Sequence, residues 1–121
     1  MVAYFLDTYA LIEIIQGNKN YEKYVDKELK TTIFNLYELY YNLLRNYGEI
    51  KAKEYFLQFK AILISFTDET IFSASQFKLK YKKEHISYTD ALGYCLALEK
   101  QLLFLTGDKA FKYFENVEFV K

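Results

Sequence analysis

Cysteine is almost missing from this chain, and its scarcity excludes more than any other feature of the composition. Cys95 is the only one in 121 residues, so neither an internal disulfide framework nor a cysteine-built zinc site is open to it. It sits in the apolar run Leu92 to Leu98 and reads as a small buried hydrophobe rather than a nucleophile. Histidine is as rare, with one residue, His85, to which no catalytic role falls. Oxygen donors are therefore the only plentiful metal ligands. Proline is absent altogether, which is unusual but decides nothing about the fold.

Net charge is missing too, since 16 basic residues balance 16 acidic ones. This argues against a protein that holds nucleic acid by a strong overall field, and a polyanion would need a local patch. Two lysine runs are candidates: Lys78, Lys80, Lys82 and Lys83 followed by His85, and Lys19, Lys23, Lys27 and Lys30. Solvated helix ends explain both equally well, because cations near helix C-termini are favoured by the macrodipole. No apolar stretch approaches the roughly 18 residues of a membrane span. The chain also enters a strand without the basic, apolar and small-residue sections of a secretory signal. A cytoplasmic protein with no membrane attachment is expected. With 52% hydrophobic residues the chain is too apolar for disorder, and no repeat, linker or low-complexity segment divides it. One domain over residues 1–121 is the expectation.

What is present is an alternation of strands and helices. Val2-Ala3-Tyr4-Phe5-Leu6 is a short apolar strand that stops at Asp7-Thr8, and a helix from Tyr9 to about Gln16 is closed by Gly17-Asn18. A short helix around Tyr21 to Lys27 precedes Thr31-Thr32-Ile33-Phe34, read as a second strand from its β-branched content. Leu36, Leu39, Tyr40, Leu43, Leu44 and Tyr47 then make one helical stripe that Gly48 closes. Glu38 lies roughly 200° around from Leu36, so it faces away from that stripe. Glu49 to Ala61 predicts a partner helix, and Ile62 to Phe66 a third strand. Thr67 or Asp68 caps a helix to about Lys83, and another spans Tyr88 to about Lys100. Leu102 to Leu105 is a fourth strand ending at Thr106-Gly107-Asp108. Lys109 to Phe114 is a short helix, and Val117 to Val120 a fifth strand. Such alternation implies an α/β fold with a parallel sheet and helices on both faces.

Four acids stand at the edges of these elements. Asp7 and Asp108 follow strands, Asp90 lies in the first turn after Ser87, and Glu38 projects from the helix after strand two. In open α/β sheets the functional crevice lies outside the carboxyl ends of the strands. Each acid alone has a plain structural explanation: Asp7 and Asp108 suit N-caps, Ser87-Tyr88-Thr89-Asp90 has the form of a capping box, and Glu38 suits a surface. Together they suggest more. Carboxylates within a few ångströms repel by about 4 kcal/mol per pair at an effective dielectric near 20, so a cluster needs protons or a cation. Mg²⁺ or Mn²⁺ suits carboxylate and water oxygens, and it supports phosphodiester hydrolysis. A metal-aspartate phosphatase would use similar parts.

Leu6-Asp7-Thr8 with Ala10-Leu11, Glu38 after strand two, Thr89-Asp90-Ala91 and Leu105-Thr106-Gly107-Asp108, in that order, resemble a PIN domain. The nearest subgroup is the VapC-type toxins, small ribonucleases encoded beside an antitoxin. The resemblance implies a three-layer sandwich around a five-stranded parallel sheet of order 3-2-1-4-5. It implies Mg²⁺- or Mn²⁺-dependent RNA cleavage by a quartet, here Asp7, Glu38, Asp90 and Asp108. Asp7 and Asp90 would bind metal directly, and Glu38 and Asp108 directly or through water. Thr106 would orient the attacking water or Asp108, and Thr8 would support from behind. Asp68 has no part in the pattern and is left as a cap.

Gly107 departs from the pattern, since family members often hold a basic residue between the threonine and the last aspartate. Arg45, the only arginine, lies on the side of Glu38 and is expected in a surface ion pair rather than on phosphate. Tyr9, Tyr37, Tyr41 and Tyr88 could stack on bases, with aromatic packing or a dimer interface the simpler reading. An RNA substrate, an antitoxin partner and a homodimer built around Tyr40 and Tyr55 follow as expectations. The alternative is a silent PIN-like module that binds RNA or protein without cutting.

Overall fold

The computed structural model describes residues 2–121. Strand β1 (Ala3–Leu6) leads into helix α1 (Thr8–Ile15), and a 3₁₀ segment (Lys19–Tyr24) precedes strand β2 (Glu28–Lys30). Helices α2 (Ile33–Tyr47) and α3 (Glu49–Lys60) form a hairpin, with Gly48 at φ +85° between them. Helix α4 (Asp68–Lys80), a 3₁₀ turn (Lys82–Glu84) and helix α5 (Tyr88–Glu99) follow. Strand β3 (Leu103–Thr106), a 3₁₀ turn (Lys109–Phe111) and strand β4 (Val117–Phe119) complete the order.

All strand pairs are parallel, in the order β2-β1-β3-β4. The expected fold is present, with four strands among the described residues where five were predicted. The Thr31-Thr32-Ile33-Phe34 segment is not the second strand. Thr32 instead caps α2, its hydroxyl accepting from the Asn35 N–H, so Ile33 and Phe34 enter the helix. A good cap here outweighs β-branched propensity. The third predicted strand shrinks to one parallel bridge between Thr31 and Leu63, at the sheet edge beyond β2. Asp68 is likewise not a cap. Thr67 holds that position, and Asp68 begins the first turn of α4, where an acid suits the helix dipole.

Successive side chains of β1 point to opposite faces, and each face has its own core. Phe5 and Phe104, stacked with centroids 5.7 Å apart, pack under α5 with Tyr94, Cys95 and Phe111. Tyr4, Leu6 and Leu105 face α1 and α2, where Leu11, Leu36, Leu39 and Leu43 fill the other layer. The stripe on α2 is only half used, because Leu44 and Tyr47 near its end are exposed. Cys95 is buried, and burial pushes its thiol up to about 11, in keeping with an inert hydrophobe.

Gly93 is where α5 meets the sheet most closely. A Cβ there would stand 2.7 Å from Phe5 Cε1 and 2.9 Å from Cζ. The stacked Phe104 leaves the Phe5 ring little room to give. Gly93→Ala is expected to destabilise the protein by about 1–2 kcal/mol, overpacking outweighing the better helix propensity of alanine. A thermal melt checks it, and an unchanged or raised midpoint would contradict the close packing.

The site follows from the topology. Strands β1 and β3 are central neighbours, and the Asp7 N–H donates to the Leu105 carbonyl at 3.4 Å. Helices α1 and α2 leave the carboxyl ends of parallel strands. Helix α5 returns antiparallel to β3 and so begins at the same edge.

Candidate functional site

Asp7 is 2% exposed and sits at the N-cap of α1. One carboxylate oxygen accepts from the Ala10 N–H at 2.8 Å, and the other accepts from the Thr106 hydroxyl. Burial, reinforced by the charges of Asp90 and Asp108, outweighs these bonds and pushes its carboxyl up from 3.8 to about 7. Asp7 is therefore both a cap and a buried acid whose charged form its surroundings disfavour.

Asp90 occupies the first turn of α5, its N–H donating to Ser87 Oγ at 3.1 Å. Burial first, then the charges of Glu38 and Asp108, push its carboxyl up to about 6. Asp108 caps the short turn after β3 through a 2.9 Å bond from the Ala110 N–H to its carboxylate. Glu38 is exposed on α2 and is held by the Thr8 hydroxyl, which donates to it at 2.6 Å. All four acids line one cavity of about 420 Å³, together with Thr8, Tyr9, Ser87, Gly107, Lys109 and Lys121. The structure thus brings together Asp7, Glu38, Asp90 and Asp108 from four separate segments.

The two threonines are connectors. Thr106 is fully buried; its hydroxyl donates to Asp7 and accepts from the Asp108 N–H at 3.0 Å, fixing two of the acids to each other. Thr8 ties Glu38 to the end of β1 and accepts in turn from Asn35 Nδ2 at 3.2 Å. Asn35, fully buried, was not anticipated from the sequence. Its Oδ1 accepts from the Thr32 hydroxyl at 2.6 Å, so a polar chain runs from the cap of α2 through Asn35 and Thr8 to Glu38. The available signal was a polar residue one turn before Glu38 on the same side of the helix.

Other expectations fare differently. Arg45 is not in a surface ion pair; its guanidinium lies 5.5 Å from the Tyr41 ring centroid. The ion pairs among the described residues are Lys51–Glu54 and Lys53–Glu49, both exposed. Lys78 lies in the last turn of α4, where its ammonium donates to the Ile86 carbonyl at 2.7 Å and lies 4.6 Å from the Tyr88 ring centroid. Tyr37, Tyr41 and Tyr88 are exposed, whereas Tyr9 packs against Gly107. Beside the acidic cavity lies an apolar groove of about 240 Å³, lined by Phe34, Phe66, Ile71, Ala74, Tyr88 and Leu92 among others.

The donor set fits a hard divalent cation. Every candidate ligand is a carboxylate oxygen, and two of the four are held near neutrality by burial and mutual repulsion, a condition that positive charge would relieve. Among the described residues, no three His, Cys, Asp or Glu side chains form a ready ligand group. Such a cation would take one or two carboxylates directly and reach the others through retained water, as Mg²⁺ commonly does.

A PIN domain family model matches residues 4–117, and the chain belongs to the PIN domain family. Its fold is shared with solved structures of low sequence identity. A toxin-antitoxin complex from Klebsiella pneumoniae superposes with a TM-score of 0.76 at 16% identity, covering 95% of both chains. VapBC2 from Rickettsia felis, bound to a DNA fragment from its promoter, gives 0.76 at 17% identity over 98% of both chains. The Mycobacterium tuberculosis toxin VapC20, which cleaves the sarcin-ricin loop, gives 0.74 at 17% identity over 97% of this chain and 96% of that one. A comparison with curated proteins finds no match. No helix among the described residues is long and apolar enough to cross a membrane.

Proposed function

We propose that this chain is a Mg²⁺- or Mn²⁺-dependent endoribonuclease that hydrolyses RNA phosphodiester bonds, and the toxin of a toxin-antitoxin pair. The observation that carries the reading is the meeting of four carboxylates on one cavity, two of them pushed up to about 7 and about 6. A bound divalent ion would supply Lewis acidity toward a phosphate oxygen and lower the pKa of coordinated water. Asp7 and Asp90 are the proposed direct ligands, with Glu38 and Asp108 binding directly or through water. Thr106 holds Asp7 and the Asp108 backbone in register, and Thr8 with Asn35 aims Glu38. These bonds fix the carboxylates before substrate arrives, so little reorganisation remains for the chemical step.

An antitoxin partner is supported by the structural neighbours, of which the Klebsiella, Rickettsia and Haemophilus influenzae proteins are toxin-antitoxin complexes or VapBC assemblies. A homodimer is proposed from the exposed apolar side chains of the α2–α3 hairpin, Tyr37, Tyr41, Leu44, Ile50 and Leu57. Light scattering at micromolar concentration tests it, a monomer excluding it.

Purified protein is expected to cleave RNA in millimolar Mg²⁺ or Mn²⁺ and to stop in excess EDTA. Cleavage that persists in EDTA would exclude the metal. Turnover of small phosphomonoesters but not RNA would point to the phosphatase. A folded protein that takes up no Mn²⁺ at millimolar concentration and cuts nothing would be a binding module.

A further inference from the structure

A polyanion entering a cavity lined by four carboxylates needs cations at the mouth, and this chain has no net positive charge to offer. Two lysines line the cavity, Lys109 and Lys121. Lys109 stands on the exposed turn after Asp108. Lys121 is exposed as well, but the backbone that carries it is held. Its carbonyl accepts from Asn20 Nδ2 at 3.0 Å, the preceding Val120 N–H donates to the Thr106 carbonyl at 2.8 Å, and the Val120 carbonyl accepts from the Tyr21 hydroxyl. Its ammonium lies 5.5 Å from the Tyr9 ring centroid, and it forms no ion pair among the described residues.

Tyr9 reaches that position because Gly107 has no side chain. A Cβ at 107 would stand 2.5 Å from Tyr9 Cζ, closer still to Cε1, and 2.7 Å from the Val120 carbonyl oxygen. Any other residue there would displace the ring or the backbone that carries Lys121. The glycine, the tyrosine and the lysine form one unit, in which an aromatic face supports a cation beside the acids.

We propose that Lys121, supported on the Tyr9 ring, binds a phosphate of the RNA backbone at the mouth of the acidic cavity. The identity of the polyanion rests on the ribonuclease reading; the cationic post itself does not. A lysine in contact with one phosphate of a single strand contributes roughly 0.7 to the slope of log affinity against log salt. It leaves the carboxylates and their hydrogen bonds untouched. Tyr9 acts as a positioning residue, by favouring the side-chain direction that puts the ammonium beside the cavity.

The test compares wild type with Lys121→Gln, Lys121→Arg, Tyr9→Phe and Tyr9→Leu, by steady-state cleavage and by fluorescence anisotropy with a labelled single-stranded RNA over a salt series. Lys121→Gln is expected to raise KM roughly fivefold and lower the salt slope by about 0.7, with kcat within about twofold. Lys121→Arg and Tyr9→Phe are expected to keep wild-type KM and slope, and Tyr9→Leu to shift both in the direction of Lys121→Gln. Wild-type cleavage with unchanged KM and slope in Lys121→Gln would overturn the lysine assignment and leave the ribonuclease reading standing. Wild type that neither cleaves nor binds RNA would overturn both.

Discussion

Replacing Asp7 by asparagine is expected to reduce RNA cleavage by roughly 10³-fold, the scale on which loss of a preorganised charge stabiliser is felt, and also to make the metal-free protein more stable at pH 8. The two effects share a cause. In the unfolded chain the Asp7 carboxyl ionises near its ordinary 3.8, whereas in the folded protein it does so at about 7. The folded state holds the proton more tightly, so this group's contribution is intact below pH 4 and is lost as pH rises toward and through 7. A shift of this size corresponds to a loss on the order of 4 kcal/mol by pH 8. Asparagine carries no charge to bury and still caps a helix, accepting from the Ala10 N–H as aspartate does. In EDTA at pH 8 the variant should melt several degrees above wild type, and the gain should vanish toward pH 4. Undiminished cleavage would remove Asp7 from the chemistry; equal melting at both pH values would remove the buried charge from the stability argument.

Uptake of divalent cation is expected to be strongly coupled to protons, with affinity rising on average roughly fifteenfold per pH unit between pH 5.5 and 7, more steeply at the acid end, and levelling above pH 8. Asp7 at about 7 and Asp90 at about 6 both carry protons in part of this range, and a cation must displace them. Their titrations are linked to each other through the charges they share with Asp108, so the release belongs to the cluster rather than to one residue. Calorimetric titration of Mn²⁺ in two buffers of different ionisation enthalpy measures the released proton directly. About one proton per ion is expected near pH 6.5. Affinity independent of pH across this window would mean that the cation binds elsewhere.

The acids were legible because each stands at the start or on the outer face of an element that the sequence pattern marks. Asp7 and Asp108 end apolar strand runs and also suit caps, Asp90 follows a serine that caps α5, and Glu38 faces away from the apolar stripe of α2. Parallel order follows from the alternation of elements, and the resemblance to PIN domains supplied the strand arrangement. Strand boundaries were less legible. Glu28–Lys30 carries two charged residues in three and lacks the β-branched content that drew attention to Thr31 and Thr32. Local propensity cannot show that Thr32 will find Asn35, nor that Ile62 to Phe66 will lie along an edge with one bridge to hold. The link from Asn35 through Thr8 to Glu38 and the stacking of Lys121 on Tyr9 were not legible, since both join residues far apart in sequence.

The bond between Thr106 and Asp7 spans 99 positions of sequence, and β3 pairs with β1 across almost the whole chain. During synthesis, β1 therefore waits with one side unpaired until nearly every later element has left the ribosome. A chain interrupted before Thr106 would carry Asp7, Glu38 and Asp90 but neither the hydroxyl nor the fourth acid that join them. The cleft is therefore assembled late, and a nascent or truncated copy lacks part of the proposed acidic set.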